Sequence, residues 1–556
     1  MILLDQLKID ARKRNHAPIL RRLIERQIKE KHLSSQRLVR PLRWRVVKQS
    51  LDARDHDRIR WIYKVAVAEI DDPPEPFGCD RLQFKIGAHL AEKQSILGRP
   101  VVVGTGPAGY AAAILLAYAG LKPIVLEQGE SVEARLQSVR QYWEGGDPFL
   151  NPHSNVQFGE GGAGTFSDGK LNTGTRSPWH RFILELFTQF GAPNKILIQQ
   201  KPHIGTDYLA KLLPNWRNCI LAYGGEVRFG HRVDRLVLEP DAEHSHRILG
   251  LEVTQMATNE NYFLPCKEVI MAPGHSARKL MYALAASGIV MTPKTFAVGL
   301  RVEHPQMAIN QTNYGKHFQE RYSHLPAASY KAVAHLNTDR SVYTFCMCPG
   351  GQVVASASEP GRVVTNGMSR YLRNESMANS ALLVNVYPTD TGATSEEPLK
   401  GFEFQDLLER RAFEAGGSTG HAPAQMVCDF LQDRLSTPDQ LKAASYRPGV
   451  VPVLLSQILP DFVVQSLKSG FKILDQKLPG FISDEAILTA VESRSSSPIR
   501  IERDPVTGVA TVLGLRVAGE GAGYAGGIMS AATDGLKMAC LTLQDYDLTT
   551  SIFTET

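Results

Sequence analysis

The chain contains no apolar run long enough to cross a bilayer, no C-x-x-C pair and no H-E-x-x-H segment. Its longest apolar stretch, near Ala111 to Ala119, falls well short of the ~20 residues a spanning helix needs. Charges interrupt the first forty positions every few residues, so no secretory leader is expected either. Cysteine is scarce, at 7 in 556 residues, and an odd number without a secretory signal points to a reducing cytosol. His244 and His246 lie in the polar stretch EPDAEHSH, where solvated histidines are expected and a metal site is not. Charge is unevenly spread: residues 1–50 hold 14 Lys and Arg against 4 Asp and Glu, although the whole chain carries a net +5. Such a basic end reads first as a solvated face, with docking of nucleic acid or an acidic partner as the second reading.

What is present is organised around Val101 to Gly129. Three valines run into Gly104-Thr-Gly106-Pro107-Ala108-Gly109, an alanine-rich segment follows, and Pro123 to Glu127 reads as a second strand. In a strand, glycine turn, helix and strand of this kind, Gly104 permits the turn, Gly106 admits a pyrophosphate and Gly109 lets helix pack on sheet. The helix opening offers free N–H groups and a positive dipole end to phosphate. Glu127, 18 residues after Gly109, is placed to accept hydrogen bonds from an unphosphorylated adenosine ribose. Of two further glycine matches, 159–164 fits neither flanking element, and 521–526 lies between a strand and a helix but has no second strand to supply the acid. The expected ligand is a dinucleotide.

Length predicts about three or four domains. Pro18 to His32 carries a helical apolar stripe, and Arg43 to Lys48 and Ile59 to Val67 read as strands. Residues 1–95 are therefore expected to form a small basic α+β module, broken by the prolines at 72–76. Residues 96–290 are read as the first part of a Rossmann-like nucleotide domain, 291–504 as an inserted mixed α+β substrate domain, and 505–556 as the closing strand and helix. The fold class is α/β. Glycines too dense for helix or strand in FGEGGAGTFSDGK, 158–170, imply a backbone pressed close to a ring system.

These residues resemble flavoproteins of the glutathione-reductase type, and more narrowly a bacterial and plastid group described as uncharacterised FAD-dependent dehydrogenases. The motifs that carry the resemblance are KQSLDAR (48–54), GTGPAGYAAA (104–113), NVQFGEGGAGTFSDGKL (155–171), APGHSAR (272–278), GLRVEHPQ (299–306), FCMCPGGQVV (345–354), VTNGMS (364–369), VESRSSSPIR (491–500) and GEGAGYAGGIMSAA (519–532). The longer basic N-terminus departs from the pattern.

The resemblance implies FAD as the nucleotide. By carry-over, Glu127 meets the adenosine ribose, backbone near Val233 the adenine, and Glu520 the ribityl chain. Gly527 and Ile528 then sit at the flavin N1–C2=O edge, with the loop Gly161 to Lys170 along the ring and Lys170 as a second stabiliser of negative charge. Gln128, Arg135, Gly162, Gly164, Thr165, Pro273, Gly274 and Gly519 complete the expected cofactor set. The activity implied is hydride transfer between a small organic substrate and flavin N5. No second complete βαβ unit is evident, which leaves NAD(P)H a transient visitor at most.

Cys348 is the candidate nucleophile or proton donor, since in a strand Cys346 and Cys348 share one face. Arg494, and Arg301 with His304, are candidate anchors for an anionic substrate. An RNA-directed flavoprotein using the basic module and a non-catalytic flavin redox sensor are the alternative functions.

Overall fold

A computed structural model describes residues 2–30, 42–69, 77–242, 245–322 and 324–552. The proline cluster at 72–76 and His244 lie outside them.

The N-terminal unit consists of β1 (Ile2–Asp10), α1 (Ala17–Glu30), β2 (Leu42–Asp52) and β3 (Arg60–Glu69). The strands form an antiparallel sheet in the order β1-β3-β2. Leu20, Ile24 and Ile28 of α1, spaced four apart on one stripe, pack with Leu4, Leu7, Val65 and Val67 of the sheet. On the outer face Arg21 pairs with Glu25 and Arg26 with Glu30, each one helical turn apart.

The next elements are β4 (Leu82–Ile86) and α2 (Leu90–Leu97). Here the structure departs from the expected boundary near residue 95. β4 pairs with the last strand, Leu548–Ile552, and Leu82, Phe84, Leu90 and Leu97 pack in the nucleotide-domain core. Those apolar side chains have a larger surface to bury against there than on the small N-terminal sheet.

The βαβ unit forms as expected from β5 (Val101–Val103), α3 (Pro107–Tyr118) and β6 (Ile124–Glu127). Its parallel sheet runs Leu515–Val517, Val269–Met271, β5, β6, then β7 (Glu226–Phe229). Gly104 has φ +96°, and a Cβ there would collide with the carbonyl oxygen of Ala272. A Cβ on Gly109 would strike the carbonyl oxygen of Gly104. α3 buries every residue from Ala108 to Ala117, which is how a helix behaves when it has neighbours on all sides. One neighbour is the helix Ile528–Asp545, whose Gly535 rests on the backbone of Ala108.

The chain leaves this domain through Met291–Pro293 and returns through Ile499–Ile501, and the two strands pair antiparallel as a neck. Between them lies a seven-stranded sheet with Phe296–Pro305 and Met377–Val386 near its middle. The insertion is therefore mixed α+β. No helix among the described residues is long and apolar enough to cross a membrane.

Candidate functional site

One cavity of about 670 Å³ begins at the nucleotide turn and runs into the inserted domain. Gly104, Gly106, Pro107 and Ala108 line its first end, with Glu127, Gln128 and Val233 beside them. Gly162, Gly164, Lys170, Pro273 and Gly274 line its middle, opposite Gly519, Glu520, Gly527 and Ile528. Arg301, Tyr330, Cys346, Arg373 and Glu492 line the far end. Residues more than 400 positions apart thus face one space.

The turn at Gly519 is held from below, since Asp534 accepts the Gly519 N–H at 2.9 Å while pairing with Arg503. The helix Ile528–Asp545 then opens on the cavity from Gly527, directing its first N–H groups and positive end into it. At Gly274, Gly526 and Gly527 an added Cβ would meet no atom within 4 Å. The cradle is open along that edge. Its length, its glycine-lined walls and two helix N-termini fit a pyrophosphate-bridged flavin.

Four expected cofactor residues lie outside this cavity. Gly109 is buried under the turn. Arg135 is fully buried and donates to the carbonyl oxygens of Asn155, Val156, Gly159, Glu160 and Gly162. It shapes the glycine loop from behind and cannot reach a ligand. Gly161 donates its N–H to the Thr105 carbonyl, and Thr165 Oγ1 accepts from Arg135 and donates to Glu160. Both face inward, because a loop this rich in glycine needs internal polar ties.

Glu127 lines the cavity but is almost fully buried. One carboxylate oxygen accepts from Thr105 N and Oγ1 at 3.0 and 2.7 Å, the other from Gly129 N and Gly159 N at 3.0 Å each. Those four bonds match the four lone-pair sites of a carboxylate. In this arrangement Glu127 clamps three loops together.

The catalytic expectations change more. Cys348 is fully buried and does not line the cavity; Cys346 does. Pairing between Ser341–Cys348 and Met377–Val386 slips register after Phe345, and Cys346 takes φ +44°. The resulting bulge breaks the strand alternation, so that Cys346 reaches the cavity wall while the neighbouring Cys348 does not. Arg494 lines the cavity but donates through Nε and Nη2 to Glu409 and through Nη1 to Ser358. Arg278 grips the same carboxylate. Burial opposes the charge on Glu409, yet Arg278 and Arg494 hold its pKa well below the ordinary range. Arg494 is thus an internal ion pair. Arg301 is likewise bidentate to Glu492 at 2.8 Å and also bound to Asn366 and Asn379. His304 lies outside the cavity wall, with Nε2 on the Phe481 carbonyl and burial lowering its pKa to about 4.

Glu303, beside His304, is fully buried against Ser445, and burial raises its pKa to about 7. A carboxyl raised in the folded state stabilises fully below its unfolded pKa, and that contribution is lost as pH climbs through 7. Glu303→Gln removes the titration. Its stability relative to the parent is expected to rise by about 1–2 kcal/mol between pH 5 and 7 in urea titrations.

Lys170 lines the cavity. Its ammonium lies 3.4 Å from the buried Asp168, bonds the Met347 carbonyl, and is held charged by Asp168 although burial works against it. Arg373 also binds Asp168, through Nε at 2.9 Å and Nη2 at 2.5 Å. Sequence reading missed Asp168 and Arg373. The available signal was an acid set between Ser167 and Gly169 inside a glycine loop.

Fold and site together define a dinucleotide-binding flavoprotein. Residues 99–139 match the FAD binding domain family, and 295–495 match the family described as FAD-dependent protein, C-terminal domain-like. An uncharacterized protein of Clostridium beijerinckii is 41% identical over 513 residues, covering 90% of this chain and 92% of that one. The chain belongs to the same family of FAD-dependent proteins, and its cofactor is FAD. Among solved structures, a geranylgeranyl bacteriochlorophyll reductase-like protein of Thermoplasma acidophilum is 12% identical, with TM-score 0.34 over 81% of this chain and 79% of that one. Glycerol-3-phosphate dehydrogenase of Bacillus halodurans, complexed with FAD, is 9% identical, with TM-score 0.33 over 82% and 66%.

Proposed function

We propose that the protein is an FAD-dependent oxidoreductase in which bound FAD exchanges hydride at N5 with a small organic substrate, NAD(P)H visiting as a transient donor. The observation that carries this reading is the single cavity joining the nucleotide turn to the inserted domain. Its far end has room for a reactant and groups to orient it. Lys170, Arg373 and the exposed Lys201 and Lys331 line that end, and Asp168 fixes two of these cations in place. This grouping supports a substrate bearing a carboxylate or phosphate. The helix opening at Ile528 and the Lys170 ammonium stabilise negative charge that develops between them. Cys346, Lys170 and Tyr330 are side chains at that end with a proton to exchange.

Anaerobic stopped-flow mixing with NADH and NADPH tests the proposal. Rapid loss of flavin absorbance with one nucleotide is the expected result; an oxidised spectrum unchanged by both overturns the donor. Lys170→Met is expected to raise KM for an acidic substrate roughly tenfold, about 1.4 kcal/mol, with flavin still bound.

A further inference from the structure

The bulge at Cys346 does more than exchange one thiol for another in the cavity wall. It sets Cys346 facing the open space while Cys348 stays fully buried behind it, with Sγ 3.3 Å from the Cys346 carbonyl oxygen. The two thiols are close enough for each to shift the other's proton affinity. Lys170 and Arg301 face Cys346 from the cationic side, Asp168 and Glu492 from the anionic side. Arg301 also donates to the Cys346 carbonyl at 3.2 Å, which fixes the bulge.

The Cys348 thiol beside it holds the Cys346 thiol well below its ordinary range; burial opposes this, and Lys170 and Arg301 add to it. That same pairing, with burial, pushes Cys348 up. Burial pushes up Cys79, Cys219, Cys266, Cys428 and Cys540 as well. Of the seven cysteines, Cys346 alone combines a place in the cavity wall, a bias toward thiolate and a second thiol two residues away. Low-pKa accessible thiols beside a resolving cysteine are the ones that oxidants select.

We propose that Cys346 and Cys348 form a reactive pair that reduces a small hydroperoxide entering the cavity, Cys346 attacking and Cys348 resolving. The Cys346 thiolate attacks the terminal peroxide oxygen, an S–O bond forms and the O–O bond breaks. Sulfur loses two electrons and the peroxide gains them. The departing alkoxide or hydroxide takes a proton from the Lys170 ammonium, which is restored from solvent. Cys348 sulfur then attacks Cys346 Sγ, the S–O bond breaks, and hydroxide leaves with the Cys348 proton as water. The product is a Cys346–Cys348 disulfide, and an external dithiol returns both thiols. Lys170 gives a reason for peroxide as substrate, because O–O cleavage needs a proton at the leaving oxygen. This chemistry is complete without the nucleotide and stands apart from the flavin reading.

The test treats purified holoprotein with hydrogen peroxide, quenches with an alkylating agent and reads each cysteine peptide by mass spectrometry. Cys346 and Cys348 are expected to lose alkylation together, roughly tenfold or more faster than Cys428 or Cys540, and to regain it with dithiothreitol. In Cys348→Ser the reaction should stop at a sulfenic acid on Cys346 that dimedone labels. Cys348→Ala provides a second variant, since a buried cysteine packs as a small apolar group. In Cys346→Ser, Cys348 should stay reduced. Oxidation of Cys346 no faster than the other cysteines overturns the proposal, as does a wild-type product with Cys346 over-oxidised and Cys348 untouched. So does disulfide closure driven by oxidised glutathione but not by peroxide.

Discussion

Gly527→Leu is expected to yield a folded, colourless protein. The backbone at Gly527 has φ 172°, an extended value open to any residue, and an added Cβ there meets nothing within 4 Å. The substitution therefore costs the fold little. Its side chain, however, projects into the edge of the cavity where the helix Ile528–Asp545 opens, and fills space assigned to the ring. FAD affinity should fall at least a hundredfold, about 2.7 kcal/mol, measured by fluorescence titration of apoprotein, while the circular dichroism and melting temperature stay near the parent's. Gly109→Ala makes the contrasting case: its Cβ strikes the Gly104 carbonyl, so fold and flavin are lost together. A Gly527→Leu protein that remains fully yellow would move the ring away from this edge.

The second large effect belongs to Glu409. Its carboxylate is fully buried and takes bonds from Arg278 and Arg494 at 2.7–3.0 Å, and from Ser493 at 2.7 Å. Glu409→Ala leaves two buried guanidinium groups without their shared counter-ion, which in comparable settings costs about 3–5 kcal/mol. The loss should appear as a lowered urea midpoint. Replacing all three residues with apolar side chains of similar volume should recover much of it. A change below about 1 kcal/mol in the alanine variant would show that Asp406 and Glu359, 3.6 and 3.8 Å from Arg278, already supply enough negative charge.

How much of this could be read from the sequence depended on how local the cause was. The turn at Gly104 to Gly109 was legible because strand, turn and helix are contiguous and Gly109 packs on Gly104 within the same unit. The insertion was legible because Leu515–Val517 could pair only with a sheet left far behind in the chain. The reactive thiol was not, because a bulge depends on the partner strand: alternation put Cys346 and Cys348 on one face, and the register slip after Phe345 undid it. The first strand was hidden for the same reason. A bulge between Leu4 and Leu7, with Gln6 at φ +59°, buries residues three apart and breaks the period of two. Arg135 and Arg494 carry charges that looked available for ligands, and only the fold reveals the carbonyls and the carboxylate that already occupy them.

The most direct measurement is the electron density of crystals of the purified yellow protein. The pyrophosphate should lie on the amides of Gly106 to Ala108, with the tricyclic ring between residues 162–170 and 519–528. Density for the ring elsewhere, or ordered solvent alone along those amides, would contradict the account.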